Sequence, residues 1–548
     1  MKRLVAEKVR KNGDSRGMNF RYARDEMCLN YDFETNSFSI FFNGEIFEGS
    51  TPKNFLSKLD EIAALLKPTK KENEIFICYA PRLQTLSAML PAGIFKEYTR
   101  KGEKLYTTYR TDHFEFREYL MFSKDTDIKK YHAANMYVLL KDLAELAGFD
   151  NICDIQKSAG WVTKKALSLG LEDEIKNWHY TNKNYRDSVE QFHEQLIGNK
   201  TGLLNAIRGV QEDVLMIDIK SAYLSALMQI QRFPIGRLVR STGRNALINF
   251  LKDSWYHIIV KTEKELNPFF DNFRDDNDKN SYGFYLYDQD LLWDNGYNLK
   301  RFVYELVESG DAELICYDSS TYGPILSSVV DKIMYFYDMK QKTKCDEIRR
   351  DCYKIITELI YGKALQEHDF KSNSDCYYYF NRPENVIRPE YSMMAASYVR
   401  WRLSRMIKEL GDAYYNDTDG IETSYSKEKE EIVERQNNLI VEYNKSLGHD
   451  SIIGTYDIEA KHAKIGIIAA KQRFYIDDNG KLNCRIAGVS RKYLEDITKL
   501  VGDMKMFDRL TKPFIYGNKQ YIYYGDEIGY SPYMPEKITL QGCCQEGS

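Results

Sequence analysis

The chain has 548 residues, 43% of them hydrophobic, enough to bury several cores, and its net charge of -4 lacks the basic balance of a typical nucleic-acid binder. No apolar run of about eighteen residues occurs and residues 1–14 are charged throughout, which argues against a membrane span or secretory signal and predicts a cytoplasmic protein. The ten cysteines show no CxxC or Cys/His zinc spacing, so reduced thiols filling cores are expected.

Residues 29–42 alternate as a strand does, and Asp32 and Glu34 would share one of its faces. Such a pair suits the start of an RNase H-like nuclease site, and equally an edge strand with two solvated acids. A helix at 53–66, a strand at 74–79 and helical periodicity over 129–147 predict an α/β domain up to about residue 150. Residues 151–200 read as mostly helical and polar. The apolar run from Val214 to Ile217 ends in Asp218, ahead of a turn and helix over 220–228. That carboxylate suits a metal ligand at a strand end, or an acid favoured at a helix N-terminus.

Strands dominate 255–302. A long helical pattern follows over 327–363, broken near Lys344, with Arg350, Lys354, Glu358 and Tyr361 on one face. Lys340, Lys342, Lys344, Arg349, Arg350 and Lys354 outweigh Asp346, Glu347 and Asp351 locally, so a basic channel is compatible with an acidic whole. These cations suit a triphosphate, or a solvated basic face.

A second helix, 389–410, leads to Tyr415-Asn416-Asp417-Thr418-Asp419-Gly420, read as a hairpin tip. Two carboxylates one residue apart at a turn suit a hard divalent cation, although Asp-Thr-Asp-Gly is also ordinary turn chemistry. An EF-hand is excluded, because Tyr415 and Ser426 would fall where that loop needs carboxylates. A metal turn here needs another carboxylate from elsewhere. Beyond it, Lys461, Lys464, Lys471 and Arg473 precede Phe474 and Tyr475, a pattern able to grip a phosphate backbone. After residue 495, short strands and turns predict a small β-rich lobe.

In order and interval, Asp218 with Ser221-x-Tyr223, the basic helix ending Tyr361-Gly362, and Tyr415-x-Asp417-Thr418-Asp419 resemble motifs A, B and C of family B DNA polymerases. The resemblance is closest to the protein-primed branch of phages and linear plasmids. Lys471-Gln472-Arg473-Phe474-Tyr475 resembles that branch's Lys-x-Tyr motif, with Arg473 in the lysine's place. The resemblance implies an α/β multidomain fold, an RNase H-like exonuclease-type domain followed by a right-hand palm, fingers and thumb. Its expected boundaries are 1–150 exonuclease-like, 151–200 helical connection, 201–249 palm with motif A and 250–326 a terminal-protein-region-like insertion. They continue with 327–380 fingers, 381–490 palm with motif C, and 491–548 a thumb-like lobe.

It further implies two Mg²⁺ or Mn²⁺ ions on Asp218 and Asp419 with Asp417 in support. Lys342, Arg350 and Lys354 would hold dNTP phosphates, Tyr223 would pack under the sugar and Tyr361 would lie by the nascent pair. Lys471, Arg473 and Tyr475 would steady the primer of a DNA primer-template, and a terminal priming protein would be a partner. Where the family carries Asn-Ser after the motif B lysine, this chain has Glu358 and Leu359. The second nuclease motif is best matched by residues 79–86, with Arg82 and Leu86 where it has Asn and Asp; the third by residues 131–135, ending in Asn135. A two-metal nuclease lacking those carboxylates holds its ions poorly, so weak or no proofreading is expected, with Asp32 and Glu34 left as a residual metal pair. Two alternatives remain open: a non-catalytic factor binding primer-template or terminal protein, and an untemplated nucleotidyltransferase.

Overall fold

The computed structural model describes residues 19–33, 35–67, 72–80, 83–87, 89–100, 103–118, 132–155, 159–181, 204–207, 209–230, 232–234, 239–242, 255–262, 281–285, 299–319, 322–324, 326–364, 389–469, 472–486, 514–516, 519–524 and 527–532. Two compact units divide the chain: Met1–Leu169, Tyr335–Leu359 and Ser490–Lys492 form the first, and Gly170–Met334, Ile360–Val489 and Tyr493–Ser548 the second.

The first unit holds an eight-stranded sheet. Its strands are β1 (Asn19–Tyr22), β2 (Met27–Asp32), β3 (Ser37–Phe42), β4 (Glu45–Ser50), β5 (Glu72–Ala80), β6 (Ile94–Arg100), β7 (Glu103–Arg110) and β8 (Phe114–Glu118). They run in the order β4-β3-β2-β5-β8-β7-β6, with β1 paired to β5. β2, β3 and β4 form an antiparallel meander, whereas β5 is parallel to both β2 and β8. The β3–β4 connection is Asn43-Gly44, both at positive φ (48° and 90°), the two-residue turn whose twist matches a hairpin.

Helix α1 (Pro52–Ala63) begins at the cap Thr51 and buries Phe55, Leu59 and Ile62, one stripe at helical spacing. Met27, Leu29, Phe38, Ile40, Phe42, Phe76 and Phe116 close the same core. Helix α2 (Ala133–Leu146) starts after the cap His132 and buries Met136, Leu139, Leu140 and Leu143. Helix α3 (Ala159–Ser168) follows.

The expected continuous strand over 29–42 is instead the β2–β3 hairpin. Asn36 takes a left-handed φ of 54°, and the Asp32 carboxylate accepts a hydrogen bond from Thr35 Oγ1 at 2.8 Å, closing the turn. Asp32 therefore ends a strand, and Glu34 lies outside the described residues.

The second unit opens with α4 (Glu172–Thr181), β9 (Leu204–Ala206), β10 (Gly209–Ile219) and α5 (Ala222–Gln229). There follow β11 (Arg232–Pro234), β12 (Val239–Thr242), β13 (Trp255–Lys261), β14 (Ser281–Tyr285), α6 (Leu299–Glu308), β15 (Glu313–Ser319) and β16 (Tyr322–Pro324). The chain then forms α7 (Ser327–Lys342), α8 (Glu347–Ala364), α9 (Pro389–Leu410), β17 (Tyr415–Asp417), β18 (Gly420–Ser424) and α10 (Lys427–Ser446). Strands β19 (Tyr456–Ala469), β20 (Gln472–Ile476) and β21 (Leu482–Ile486) precede a small meander of β22 (Phe514–Tyr516), β23 (Lys519–Tyr524) and β24 (Glu527–Pro532).

Its main sheet is antiparallel in the order β21-β20-β19-β10-β18-β17-β9, and a second sheet, β12-β15-β13-β14, draws three strands from the region expected as an insertion and β12 from before it. β10 is central, so Val214, Leu215, Met216 and Ile217 are buried on both faces, which explains its unbroken apolar run. Behind the sheet, Gln229 at the end of α5 accepts from the Tyr398 hydroxyl of α9 at 2.7 Å and donates to Asn444 of α10 at 2.8 Å. A satisfied buried network of this kind ties three helices together. The helical break expected near Lys344 falls between α7 and α8, and α9 has the expected bounds. Among the described residues no helix is long and apolar enough to cross a membrane.

Candidate active site

Pairing brings the separated aspartates together. Asp218 lies opposite Gly420 of β18 on one side and Asp457 of β19 on the other, and Asp417 lies opposite Gly420 from β17. Side chains alternate along strands, so Asp218, Asp417, Tyr415 and Glu422 project from one face. Gly420 lies between them, where a Cβ would be in ordinary van der Waals contact, 3.5 Å from Asp218 Oδ1. The loop is Thr418-Asp419 alone, with Thr418 at φ 62°. A two-residue loop of this twist normally takes glycine at that position, so Thr418 stores local strain.

Hydrogen bonds hold the strained turn. Asp419 N donates to Asp417 O at 2.7 Å, and Asp419 O accepts from Ile219 N at 3.0 Å, docking the tip against the end of β10. Thr418 Oγ1 donates to Asp417 Oδ1 at 2.9 Å and the Tyr415 hydroxyl to its Oδ2 at 3.3 Å. On the far side of Asp218, Lys220 N donates to Thr455 O and Gly454 N to Lys220 O, each at 2.9 Å, so the strand exit is fixed as well.

The charges at this face are not balanced. Burial, then the nearby Asp419 and Glu459, push Asp218 well above the usual carboxylate range; burial, then Asp417 and Glu459, push Asp419 up, with Arg485 pulling both down. Burial raises Glu422 to about 7 despite Arg473 and Arg485. Like charges held together out of water favour a cation or a proton. Among the described residues, no group of three or more His, Cys, Asp or Glu side chains is arranged to hold a metal ion. Asp218 and Asp419 supply a carboxylate pair of the kind that suits a hard divalent cation completed by other oxygens.

The rings of Tyr223 and Tyr361 stack with centroids 4.1 Å apart, and neither buried hydroxyl has a hydrogen-bond partner among the described residues. Burial, Tyr361 and Asp419 raise the Tyr223 phenol, placing it beside the carboxylates. Arg473 on β20 is buried, its Nε 2.6 Å from Glu422 Oε1 and its guanidinium 4.3 Å over the Tyr415 ring. Tyr475 lies on the same strand with Arg485 at 5.4 Å from its ring, and Lys471 is outside the described residues.

Lys342, Arg350 and Lys354 belong to the part of α7 and α8 that forms the first unit, where Lys354 Nζ lies 3.8 Å from Glu358 Oε1. Of the candidate nuclease residues, Leu86 is packed in the first unit's core, Asn135 lies in the first turn of α2, and Arg82 and Tyr131 are outside the described residues.

Sequence reasoning missed Glu422, Glu459 and Arg485. Glu459 sits at a register shift between Ala460 and Ile458 of β19, where an extra residue re-aims its side chain, and it pairs with Arg485 at 3.0 Å. Only the alternation Ile421-Glu422-Thr423 hinted that Glu422 would turn to the carboxylate face.

No family model and no curated relative matches the chain. Solved structures do, among them Phi29 DNA polymerase with primer-template DNA and incoming nucleotide, at TM-score 0.50 and 12% identity over 93% of this chain and 98% of that one. The same enzyme with primer-template DNA alone gives 0.51 and 12%, over 93% and 99%. Phi29 DNA polymerase is a protein-primed family B polymerase, and the fold of this chain matches that of DNA polymerases.

Proposed function

We propose that the chain is a template-directed DNA polymerase of the protein-primed kind, serving a phage or linear plasmid in a bacterial cytoplasm. The observation that supports this most is the convergence of Asp218 and Asp419, under-compensated, at a strained two-residue turn on a polymerase fold. Two divalent ions, Mg²⁺ or Mn²⁺, would there activate a primer 3′-hydroxyl and neutralise the triphosphate. Asp218 and Asp419 hold them, and Asp417, fixed by Thr418 and Tyr415, supports the turn. The Tyr223–Tyr361 stack offers a flat wall for sugar and base. Lys342, Arg350 and Lys354 take the phosphates, and Lys471 and Tyr475 take the primer end.

Proofreading is weak or absent on this reading. Asp32 is engaged by Thr35, and Leu86 fills apolar core where a carboxylate was sought. Residual metal binding would be confined to Asp32 and Glu34. Primer extension with single dNTPs on a defined template tests the whole reading: templated incorporation lost in Asp419→Ala supports it, and none in the wild-type chain ends it. The Lys354–Glu358 contact favours a second reading, a primer-template or terminal-protein binding factor, because it sets a carboxylate beside a phosphate-binding cation. Binding of primer-template without incorporation would select that reading, and incorporation indifferent to the template base would select an untemplated transferase.

A further inference from the structure

We infer that Arg473 is a positioning residue that braces the Asp417–Asp419 hairpin through Glu422 and Tyr415, and that it is not a contact for the primer backbone. Arg473 is 8% exposed, and Glu422 beneath it 2%. Among the described residues neither Glu422 oxygen accepts an aligned hydrogen bond, so the guanidinium 2.6 Å away is the nearest compensation for a buried carboxylate, with Arg485 adding to it. The same guanidinium lies 4.3 Å over the ring of Tyr415, whose hydroxyl donates to Asp417 Oδ2 at 3.3 Å.

Tyr415 and Glu422 face each other directly across the hairpin, so one cation grips both strands two residues from the Asp417–Gly420 pair that closes the turn. A planar, weakly hydrated guanidinium can pair with a carboxylate and stack on a ring together, whereas an ammonium is a compact point charge that keeps its water. That accounts for arginine where the resembling motif has lysine. A cation held this way reaches a phosphate only by giving up its contact with the buried Glu422.

The kinetic part of the test rests on the polymerase reading; the binding parts do not. The full chain is compared with Arg473→Lys, Arg473→Met, Glu422→Gln and the double Glu422→Gln/Arg473→Met, each checked for folding by circular dichroism. Mn²⁺ affinity without DNA is measured by electron paramagnetic resonance, primer-template affinity by anisotropy across a salt series, and turnover by single-nucleotide incorporation. The expected result for Arg473→Lys and Arg473→Met is Mn²⁺ affinity and incorporation rate each lower by about tenfold, the scale for a group that orients a metal ligand. Primer-template affinity should stay within about twofold with an unchanged salt slope, since no phosphate contact is lost.

The double variant should recover most of the Mn²⁺ affinity, because it removes both charges, and it also decides the matter if Arg473→Met does not fold. Unchanged Mn²⁺ affinity overturns the inference, as does weaker DNA binding with a salt slope reduced by about one. A wild-type chain that binds Mn²⁺ but incorporates nothing would end the polymerase reading while the Mn²⁺ comparison still decides the brace.

Discussion

Buried carboxylates are treated in opposite ways in the two units. In the first, Glu115 on β8 is 2% exposed and accepts from Arg110 Nε at 2.9 Å, Arg117 Nη2 at 2.8 Å and the Tyr22 hydroxyl at 2.9 Å. Burial alone would raise it, but the two guanidiniums outweigh burial and hold it at about 2. In the second, Asp218 and Asp419 meet burial and more carboxylates, which outweigh Arg485 and, at Asp419, a backbone hydrogen bond, and both are pushed up. A compensated buried charge is part of the structure, and an under-compensated pair at a turn is a place for a cation. Asp32, bonded within its own turn by Thr35, falls on the structural side of that division.

The largest effect should come from removing a charge on the open side. Asp419→Asn is expected to lower single-nucleotide incorporation by roughly a thousandfold or more, several kcal/mol of transition-state stabilisation. Asp32→Asn should leave incorporation unchanged and alter little of the terminal-nucleotide removal from a mismatched primer. Brisk removal in the wild-type chain, lost in Asp32→Asn, would break the contrast. In EDTA, Asp419→Asn should also raise the melting temperature, because it relieves repulsion. Glu115→Gln should act in the reverse sense, costing about 2–3 kcal/mol by leaving two half-buried cations without their carboxylate, measured by denaturant unfolding.

The two sites also predict opposite pH dependence. Asp218 and Asp419 have folded pKa values above their unfolded ones, so without metal the folded state holds protons that the unfolded state releases. Their contribution then falls as pH rises from about 4 through the raised values, by at most about 1.4 kcal/mol per pH unit for each proton and less where water screens them. Glu115 has a folded pKa below its unfolded one, so its stabilisation is present above about 4.5 and is lost as pH falls towards 2. Melting curves in EDTA at pH 6 and 8 should show a loss at the higher pH that Mg²⁺ reverses. No such loss would mean that the aspartates are already compensated.

The hairpin was legible because Asp-Thr-Asp-Gly stood between two short alternating runs, and α9 because its periodicity ran from Pro389 without a break. Strands β6 and β7 were not, because Lys, Glu, Thr and Tyr are mixed there with no clean apolar face. Helix α10 hid behind its acidic run, although Ser426, whose hydroxyl accepts from Lys429 N at 3.2 Å, was a cap signal with Glu428 and Glu430 in the first turn. The extended strand expected over 29–42 failed because Asp32, Thr35 and Asn36 favour a turn more strongly than the flanking aromatics favour continuity. Asp218 and Asp419 could be proposed as partners from motif order, but Glu422 with Arg473 depends on strand register across the whole sheet, which no local pattern encodes.

The smallest effect concerns the other departure, Glu358. Its contact with Lys354 joins side chains that are 62% and 42% exposed, in the less favourable Lys-before-Glu order along the helix. Glu358→Gln should therefore change unfolding stability by less than about 0.5 kcal/mol. Lys340 feels the change too: burial lowers its pKa while Glu358 pulls it back up, so the substitution weakens the hold on its proton. If Lys354 takes the triphosphate, freeing it from Glu358 should lower the KM for dNTP by a few-fold with kcat unchanged, the signature of uniform binding. A KM that rises would instead place Glu358 among the groups that receive the nucleotide, so the sign of the change decides between a restraint on Lys354 and a role of its own.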